Sequence, residues 1–370
     1  MNAPDSSQRE PIMVTRATLP PLEEYIKYLR QIWSSHRLTN NGPILQELEH
    51  ALRLQLGVKD IWVVSNCMSA LLIAIEAGEV SGEVITTPFS YVATSAAIVW
   101  QKCRPIFADI RSHDLTIDPD AVEGAITSRT RGILATHVYG MPCDVDRLEA
   151  LARKHGLLLI YDAAHAFGTT YRGRSLASYG DISCLSFHAT KVFSTGEGGA
   201  VVVNSPDLKL AERVRYMRSF GHMGDDHRMP GINAKCSELH AALGLCNLPL
   251  IAGIIAQRAQ ACALYDQALS GINVRRINFS IPGLVHNHAY YPVFFPDEET
   301  LLRAQAAMNA LQIYPRRYFW PALHRIPYLR GGDCPRADQA SATVLCLPLS
   351  SETDPALVGQ VADAIRSALA

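Results

Sequence analysis

Three side chains in the middle of the chain could together perform imine chemistry. Asp162 follows the apolar run at 157–161, Ser186 lies twenty-four residues later, and Lys191 comes five residues after the serine. A lysine amine can form a Schiff base with an aldehyde, and a carboxylate can keep a ring nitrogen protonated so that the ring withdraws electrons. The serine hydroxyl can bind a phosphate. These residues predict a site for pyridoxal 5′-phosphate.

Each of these residues also has a simpler interpretation. A single lysine is most often a surface residue, and an aspartate after a strand is as often a turn or helix cap. The context favours chemistry, because Ala163 and Ala164 leave room for a flat ring and the glycine run at 196–199 allows close backbone approach. A Schiff-base lysine needs a lowered pKa, which we expect desolvation of Lys191 to supply.

Other residues are placed to bind the same cofactor. His165 could reach the ring's phenolate oxygen or stack near the ring, although a surface histidine is the alternative. Residues 65–71, which include Cys67, Met68 and Ser69, join the strand at 61–64 to the helix predicted at 69–77, and free N–H groups at that helix start can bind a phosphate. Ordinary N-capping by Ser65 or Asn66 is the alternative. Tyr91 could cover one face of the ring, or it could be a core aromatic residue.

The elements that must position these residues alternate between short apolar strands and helices. Helices such as 69–77, 92–100 and 144–155 separate strands predicted at 61–64, 84–86, 105–108, 132–136, 157–161, 182–186 and 200–203. This alternation predicts an α/β fold with a mainly parallel sheet covered on both faces. Ligands bind such sheets at the carboxyl ends of the strands, which is where Asp162 should lie.

The pattern also divides the chain into parts. Residues 1–20 contain three prolines and are expected to form a mobile N-terminal arm. Residues 21–250 form the predicted large cofactor-binding domain, and residues 251–370 form a smaller α+β domain that begins with a long helix at 251–269. Two domains in 370 residues are expected on size alone.

Composition excludes several classes of function. A net charge of −1 and a pI near 6.9 give no field to attract nucleic acid or an anionic membrane. No uninterrupted apolar run is long enough to span a membrane. The nine cysteines form no C-x-x-C pair, which fits small buried hydrophobes in a reducing compartment. We therefore expect a cytoplasmic protein.

Competing chemistries find little support in the sequence. His286 and His288 form a pair without further ligands at metal spacing, so no metal site is predicted and solvated histidines are expected. No G-x-G-x-x-G follows the first strand, and no G-x-S-x-G elbow is present.

The motifs occur in the order found in a known family. Together with the residues above, the chain resembles the DegT/DnrJ/StrS sugar aminotransferases through segments 65–71, 83–88, 116–119, 137–140, 231–233 and 237–239. Members have the fold type I pyridoxal phosphate architecture, similar to aspartate aminotransferase. The resemblance implies that Lys191 is the Schiff-base lysine, that Asp162 binds the pyridinium nitrogen and that Ser186 binds the phosphate.

Further roles follow from the same resemblance. It implies that His165 lies near the phenolate oxygen, that Tyr91 stacks on the ring, and that Asn233 reaches the phosphate of the other subunit in a homodimer with shared active sites. The family usually has Gly-Thr where this chain has Cys67-Met68. A threonine contact to the phosphate is therefore lost, and the backbone N–H groups together with Ser69 would have to replace it.

Within the family, segment 314–321 looks most like enzymes that aminate C4 of dTDP-4-keto-6-deoxy-D-glucose with L-glutamate in a ping-pong reaction. Arg317, Tyr318 and His324 are then expected to bind the nucleotide sugar; the alternative is a basic loop packed on core aromatics. A 3-keto sugar aminotransferase, a sugar dehydratase and a non-catalytic regulator remain open, although the presence of Lys191 argues against a dehydratase.

Overall fold

A seven-stranded sheet forms the centre of the computed structural model, which describes residues 10–369. In chain order the strands are β1 (Asp60–Val64), β2 (Glu83–Thr86), β3 (Arg104–Phe107), β4 (Thr130–Thr136), β5 (Leu158–Asp162), β6 (Ile182–Ser186) and β7 (Gly199–Val203). Their spatial order is β1-β7-β6-β5-β4-β2-β3, and β7 alone runs antiparallel to the rest of the sheet. The prediction of a mainly parallel α/β sheet is confirmed.

Side chains on the strands alternate between two apolar layers. Ile133 and Leu159 belong to one buried cluster, whereas Leu134 and Ile160 belong to the cluster on the other face. Successive side chains of a strand point to opposite faces, so both faces must be covered. By this alternation Asp162 shares the face of Ile160 and emerges at the carboxyl end of β5.

Local capping explains where the helices begin and end. The carboxylate of Asp144 accepts a hydrogen bond from the N–H of Arg147, and Gly156 ends the same helix at φ +63°. The helices of the larger part are Leu22–Ser35, Pro43–Leu56, Cys67–Ala77, Val92–Trp100, Pro119–Ala125, Val145–His155, Leu208–Met217 and Glu238–Asn247, with short 3₁₀ turns at Val138–Gly140, Leu176–Ser178 and Leu248–Leu250. A further 3₁₀ turn, Leu323–Arg325, lies in the C-terminal part.

The C-terminal part has a small sheet and an apolar cluster of its own. Tyr291–Phe294 pairs antiparallel with Arg275–Arg276 and Val344–Leu347. Tyr265 and Val361 are fully buried in this cluster. The surrounding helices are Ile251–Ala268, Glu298–Ala310, Pro335–Thr343 and Pro355–Leu369.

Two-residue strands form two further small sheets. Thr170–Tyr171 pairs with both Arg174–Ser175 and Leu284–Val285, and His222–Met223 pairs with Asp226–His227.

The helical stretch Glu238–Ala268 crosses residue 250, so the division at that residue stays a prediction. By length and composition alone this stretch could cross a membrane. Its polar residues have partners inside the protein, however: Asn247 donates to the carbonyl of Ser194, and the buried Arg258 donates to the carbonyl of Ala289. These bonds are those of a core helix.

The N-terminal arm is more ordered than the prolines predict. Ile12–Met13 pairs in parallel with Ile313–Tyr314, and Val14 is buried. Pro11 precedes this pairing and so removes no donor from it. The part of the expected arm at 1–9 lies outside the described residues.

Candidate active site

The carboxyl edge of the sheet carries a cavity of about 320 Å³. Asp162 and Ser186 are the last residues of β5 and β6, and Lys191 follows in the loop before β7. The cavity volume lies at the lower end of the range of roughly 300–1,000 Å³ for small-molecule sites. The structure therefore brings together the three residues that the sequence singled out.

Lys191 lies in a loop whose ends are tied together. The N–H of Phe187 donates to the carbonyl of Gly198 at 2.8 Å, and the N–H of Lys191 donates to that of His188 at 2.8 Å. Gly199 begins β7 where a Cβ atom would lie 2.7 Å from the backbone of Asn66. Glycine is required there because β7 approaches the turn after β1 closely.

The amine of Lys191 donates to the hydroxyl of Tyr290 at 3.1 Å. Burial lowers the pKa of this amine, but the interactions with Tyr290, Cys67 and Asp162 more than offset that effect, so its pKa is raised. The expectation that desolvation would depress it is therefore wrong for this structure. The amine is an ammonium group at neutral pH, with a hydrogen-bond partner ready to accept from it.

Asp162 is buried and held by two donors. Its Oδ2 accepts from the hydroxyl of Thr94 at 2.6 Å, and its Oδ1 accepts from the N–H of Ala164 at 3.1 Å. Burial raises the pKa of this carboxyl group, while both hydrogen bonds and the charge of Lys191 oppose the rise. A buried carboxylate at a ligand cavity is suited to a cationic partner such as a pyridinium.

His165 is buried next to these residues. Its Nδ1 accepts from the N–H of Tyr139 at 3.0 Å, and its ring meets the ring of Tyr290 edge-on at 4.8 Å. Burial, with a contribution from the charge of Lys191, lowers the pKa of His165 well below its usual value. The imidazole is therefore neutral near pH 7, with Nε2 as its hydrogen-bond donor.

Ser186 and the first turn of helix Cys67–Ala77 lie at one end of the cavity. Cys67, Met68 and Ser186 line it. Ser69 does not, and its N–H is taken by the side chain of Asn66 at 2.8 Å. First-turn N–H groups lack partners within a helix, so those of Cys67 and Met68 are the candidates for binding an anion.

Tyr91 and Asn233 are both exposed. Tyr91 lines the cavity and is 60% exposed, which leaves one side of its ring open. Asn233 does not line the cavity of its own chain, and its Oδ1 accepts from the amine of Lys235 at 2.6 Å. An asparagine that serves another subunit's site would lie outside its own in this way.

The predicted substrate residues divide between cavity and core. Tyr318 lines the cavity, but Arg317 donates to Glu298 at 2.7 Å and packs on the ring of Trp320. His324 is also buried away from the cavity, with Nε2 lying 3.2 Å from Asp338. The assignment of Arg317 and His324 to substrate binding is corrected, because neither lines the cavity and each lies against a carboxylate outside it.

Arg316 takes the position that was expected for Arg317. It lines the cavity, and its guanidinium lies 5.5 Å from the ring centre of Tyr318. Sequence reasoning missed Tyr290 and a chain of hydroxyls in which Thr136 donates to Ser90 and Ser90 contacts Thr94. The position of Thr136 at the end of β4 was the available signal.

The histidine pair outside the cavity is structural. His286 is buried, stacks on Phe279 and contacts the carbonyl of Tyr139 at 2.9 Å. The expectation of solvated histidines is therefore wrong for His286, which ties a loop to the large domain. Among residues 10–369, no group of three or more histidine, cysteine, aspartate or glutamate side chains could hold a metal ion.

The donor set at the cavity fits pyridoxal phosphate. An amine is present for the aldehyde, a buried carboxylate for the ring nitrogen and a neutral imidazole for the phenolate oxygen. Helix N–H groups and a serine hydroxyl can bind the phosphate. Each group of the cofactor thus has a chemical partner among residues at one cavity.

Sequence comparison gives the class to which this site belongs. Residues 22–366 match the DegT/DnrJ/EryC1/StrS aminotransferase family, and the chain belongs to that family. It is accordingly a pyridoxal phosphate-dependent aminotransferase.

Two curated relatives match nearly the whole chain. The dTDP-4-amino-4,6-dideoxy-D-glucose transaminase of Shigella dysenteriae is 40% identical, with 96% of this chain and 99% of the relative covered. The transaminase of the same name from Escherichia coli is 38% identical, with 95% and 96% covered.

Solved structures show the same fold. DesI, determined in the presence of its TDP-sugar product, has a TM-score of 0.92 at 32% identity, with 98% of this chain and 94% of DesI covered. Helicobacter pylori PseC, an aminotransferase of pseudoaminic acid biosynthesis, has a TM-score of 0.89 at 25% identity, with 97% and 99% covered. The predicted fold type I architecture is confirmed.

Proposed function

We propose that this enzyme transfers the amino group of L-glutamate to C4 of dTDP-4-keto-6-deoxy-D-glucose, giving dTDP-4-amino-4,6-dideoxy-D-glucose. The proposal rests on one observation above all: Lys191 and Asp162 line the same buried cavity at the carboxyl edge of the sheet. An amine and a carboxylate are what an amino-transferring pyridoxal site requires. The names of the two full-length relatives support the sugar.

Lys191 would do the covalent and proton-transfer work. When bound, pyridoxal phosphate supplies an aldehyde carbon and an electron-withdrawing ring. Lys191 would hold the cofactor through that aldehyde carbon, and once an amino donor has displaced it, its free amine would be the base that takes the proton from the donor's Cα. With the keto sugar in place of the donor, the protonated amine of Lys191 would deliver the proton to the sugar carbon that receives the amino group. One base therefore serves both halves of the exchange.

Asp162 and His165 would hold opposite sides of the ring. Asp162 stabilises a proton on the ring nitrogen, because a buried carboxylate favours a cationic neighbour. His165 is neutral and can donate a hydrogen bond from Nε2, since Nδ1 is occupied by Tyr139. Thr94 fixes the Asp162 carboxylate through its hydroxyl.

The first turn of helix Cys67–Ala77 contains no lysine or arginine, so neutral groups would bind the phosphate there. Ser186 offers a hydroxyl, and Cys67 and Met68 offer backbone N–H groups. Burial raises the pKa of the Cys67 thiol well above its usual value, so this residue adds no negative charge beside the phosphate. We propose that Asn233 of a second subunit completes the site in a homodimer.

Substrate recognition would come from the other side of the cavity. We assign Arg316 to the phosphates of the nucleotide sugar, since its guanidinium has no carboxylate partner among the described residues. Guanidinium groups bind phosphate oxygens through paired hydrogen bonds. Tyr318 and Tyr91 supply ring faces for the sugar and the cofactor. A cytoplasmic location is part of this proposal.

The absorbance spectrum of the purified protein tests the proposal. A cofactor band should shift when L-glutamate is added and return only when the correct keto sugar follows. NMR of the product then identifies the aminated carbon. If the band returns with a 3-keto sugar and not with the 4-keto sugar, the assignment to C4 is contradicted. If the keto sugar loses water and no amino sugar is formed, the enzyme is a dehydratase. Cofactor binding without turnover would indicate a regulator.

A further inference from the structure

Tyr290 joins the active site from a part of the chain that the catalytic motifs do not include. It lies one residue before the strand Tyr291–Phe294 of the C-terminal part and is buried. Its hydroxyl lies 3.1 Å from the amine of Lys191, which makes no other hydrogen bond through its side chain among residues 10–369. The tyrosine is therefore the partner of the free lysine.

Several interactions hold Tyr290 in place. Its ring meets the ring of His165 edge-on at 4.8 Å and lies 5.8 Å from that of Tyr139. The ring of Tyr318 packs against its other side at 5.7 Å. A phenol with its ring held on three sides presents its oxygen in one direction, which is toward Lys191.

The backbone before Tyr290 is also anchored. Asn287 donates to the carbonyls of His165 and Phe167 at 2.7 and 2.9 Å, and its Oδ1 accepts from the N–H of Ala289. Arg258 is almost fully buried and donates to the carbonyl of Ala289 at 3.2 Å. These bonds attach the backbone just before Tyr290 to the segment that carries His165, so the position of the Tyr290 hydroxyl is fixed relative to the cavity.

A free lysine amine needs such a partner. Its side chain has four rotatable carbons and a strongly hydrated charge, and it must stay near the donor's Cα after it has been displaced. Pairing directly with Asp162 would draw the amine toward the carboxylate and away from the transferring carbon. A neutral acceptor avoids that competition, and Tyr290 is the one present.

We propose that Tyr290 is the positioning residue that holds the displaced amine of Lys191 within reach of the transferring proton. The phenol accepts a hydrogen bond, and no net proton passes to it. The inference rests on the proposed function, because it concerns the lysine's role in amino transfer. It adds a residue of the C-terminal part to a catalytic set, Lys191, Asp162 and His165, that otherwise lies in the large part of the chain.

The first experiment uses the cofactor-free protein and does not depend on turnover. Pyridoxal phosphate is added to the wild type and to Tyr290→Phe, and formation of its bond with Lys191 is followed by absorbance between pH 6 and pH 10. The contact with Tyr290 raises the pKa of Lys191. Its loss should make the amine neutral at lower pH, so the midpoint for capture should shift to lower pH.

The second experiment measures the glutamate half-reaction by stopped-flow absorbance. Misplacement of a reacting group by about 1 Å can cost roughly 100-fold in rate. We expect Tyr290→Phe to lower the rate constant by about that factor while KM for glutamate changes little. The isotope effect with glutamate deuterated at Cα should increase, since proton transfer then limits the rate more strongly.

The neighbouring tyrosine is a matched control. Tyr291 is the next residue and is also buried, but its hydroxyl donates to Asp266 at 2.7 Å, and it does not line the cavity. Tyr291→Phe should leave both the capture midpoint and the isotope effect unchanged. Tyr290→His keeps a ring and offers a nitrogen acceptor, so it should retain more of the rate than Tyr290→Phe and serves if the latter does not fold.

The outcomes separate the two proposals. A wild type that neither captures pyridoxal phosphate nor reacts with glutamate would overturn the proposed function. A wild type that does both, with Tyr290→Phe matching it in capture midpoint, rate and isotope effect, would overturn only the role of Tyr290. If Tyr290→Phe folds poorly, Tyr290→His is compared with Tyr290→Leu in the same assays: a higher rate and a higher capture midpoint in Tyr290→His support the role, and equal values in the two variants overturn it.

Discussion

The cavity has two walls that are held in different ways. The strand-end wall, formed by Asp162, His165, Ser186 and Lys191, lies at the ends of sheet strands and in tied loops behind them. The opposite wall belongs to segment 314–324, which starts at the last residue of the two-residue strand Ile313–Tyr314, ends within the 3₁₀ turn Leu323–Arg325 and has no helix or strand between them. Rigid strand ends suit the bond-making groups, whereas an irregular segment can change its side chains without disturbing the sheet.

Two adjacent arginines show the difference within the second wall. Arg316 lines the cavity, whereas Arg317 is bound to Glu298 and to the carbonyls of Ser341 and Ala342. One guanidinium is available to a ligand and the next holds the segment in place. The comparison therefore predicts that substitutions in the strand-end wall change chemistry, and that substitutions in segment 314–324 change binding or stability.

Lys191→Ala should have the largest effect. The amine is the group that bonds to the cofactor and moves the proton, and general acid–base transfer alone is worth roughly 10²–10⁴-fold in rate. Stopped-flow absorbance should show no glutamate half-reaction, and circular dichroism should show a native fold. Lys154→Ala, which removes an exposed lysine paired with Glu123, is the control. Retained turnover in Lys191→Ala would contradict the assignment.

Asp162→Asn should reduce turnover by roughly 10²–10³-fold, because the amide cannot hold a proton on the ring nitrogen. Thr94 and Ala164 can still bond to it. The same change should stabilise the cofactor-free protein, by about 0.5–2 kcal/mol at pH 7.

The sign of that stability change follows from the pKa of Asp162. Burial raises it in the folded state, so the folded protein releases this proton less readily than the unfolded chain. Stability is then lost as pH rises from about 3.8 through the folded pKa, and the loss is complete at neutral pH if the carboxyl ionises there. Denaturant unfolding at pH 4 and pH 7 checks this: equal gains at both values would exclude the ionisation mechanism.

Arg316→Gln and Arg317→Gln should separate binding from stability. Hydrogen bonds to charged groups contribute about 1.5–3 kcal/mol, so loss of Arg316 should raise KM for the nucleotide sugar about tenfold and leave KM for glutamate unchanged. Loss of Arg317 should lower the free energy of unfolding by about 1–3 kcal/mol. Steady-state kinetics and urea unfolding measure the two. The reverse pattern would exchange the roles of the two arginines.

The two walls also differ in how far the sequence predicts them. The strand ending at Asp162 was predictable because an apolar run followed by an acid marks the carboxyl end of a buried strand. Lys191 was identified by residue type and neighbouring glycines. The direction of each side chain in segment 314–324 was not predictable, because without a regular period neither Arg316 nor Arg317 is assigned to a face.

Tyr290 was missed for a different reason. It lies in a run of apolar and aromatic residues that reads as a core strand, and its approach to Lys191 depends on packing between parts of the chain about one hundred residues apart. His286 was misjudged in the same region, since its burial follows from stacking on Phe279. Contacts of this range are set by tertiary packing, and no local pattern encodes them.

His165→Gln should have the smallest effect of the four changes to the cavity. A glutamine oxygen can accept from the N–H of Tyr139 as Nδ1 does, so we expect turnover to fall by less than about tenfold. The substitution should change the pH dependence of the free energy of unfolding more clearly than it changes turnover. Burial holds the pKa of His165 well below its usual value, so its contribution is present above about pH 6.5 and is lost as pH falls, because only the unfolded chain takes up the proton.

The glutamine variant should therefore lose less stability than the wild type between pH 7 and pH 5, by up to about 1.4 kcal/mol per pH unit. Urea unfolding at the two pH values gives the difference. His50→Gln, at an exposed position, should follow the wild type. If His165→Gln also follows the wild type, burial does not lower the pKa of His165, and the strand-end wall would then carry a second cation next to Lys191 once the pH falls below about 6.5.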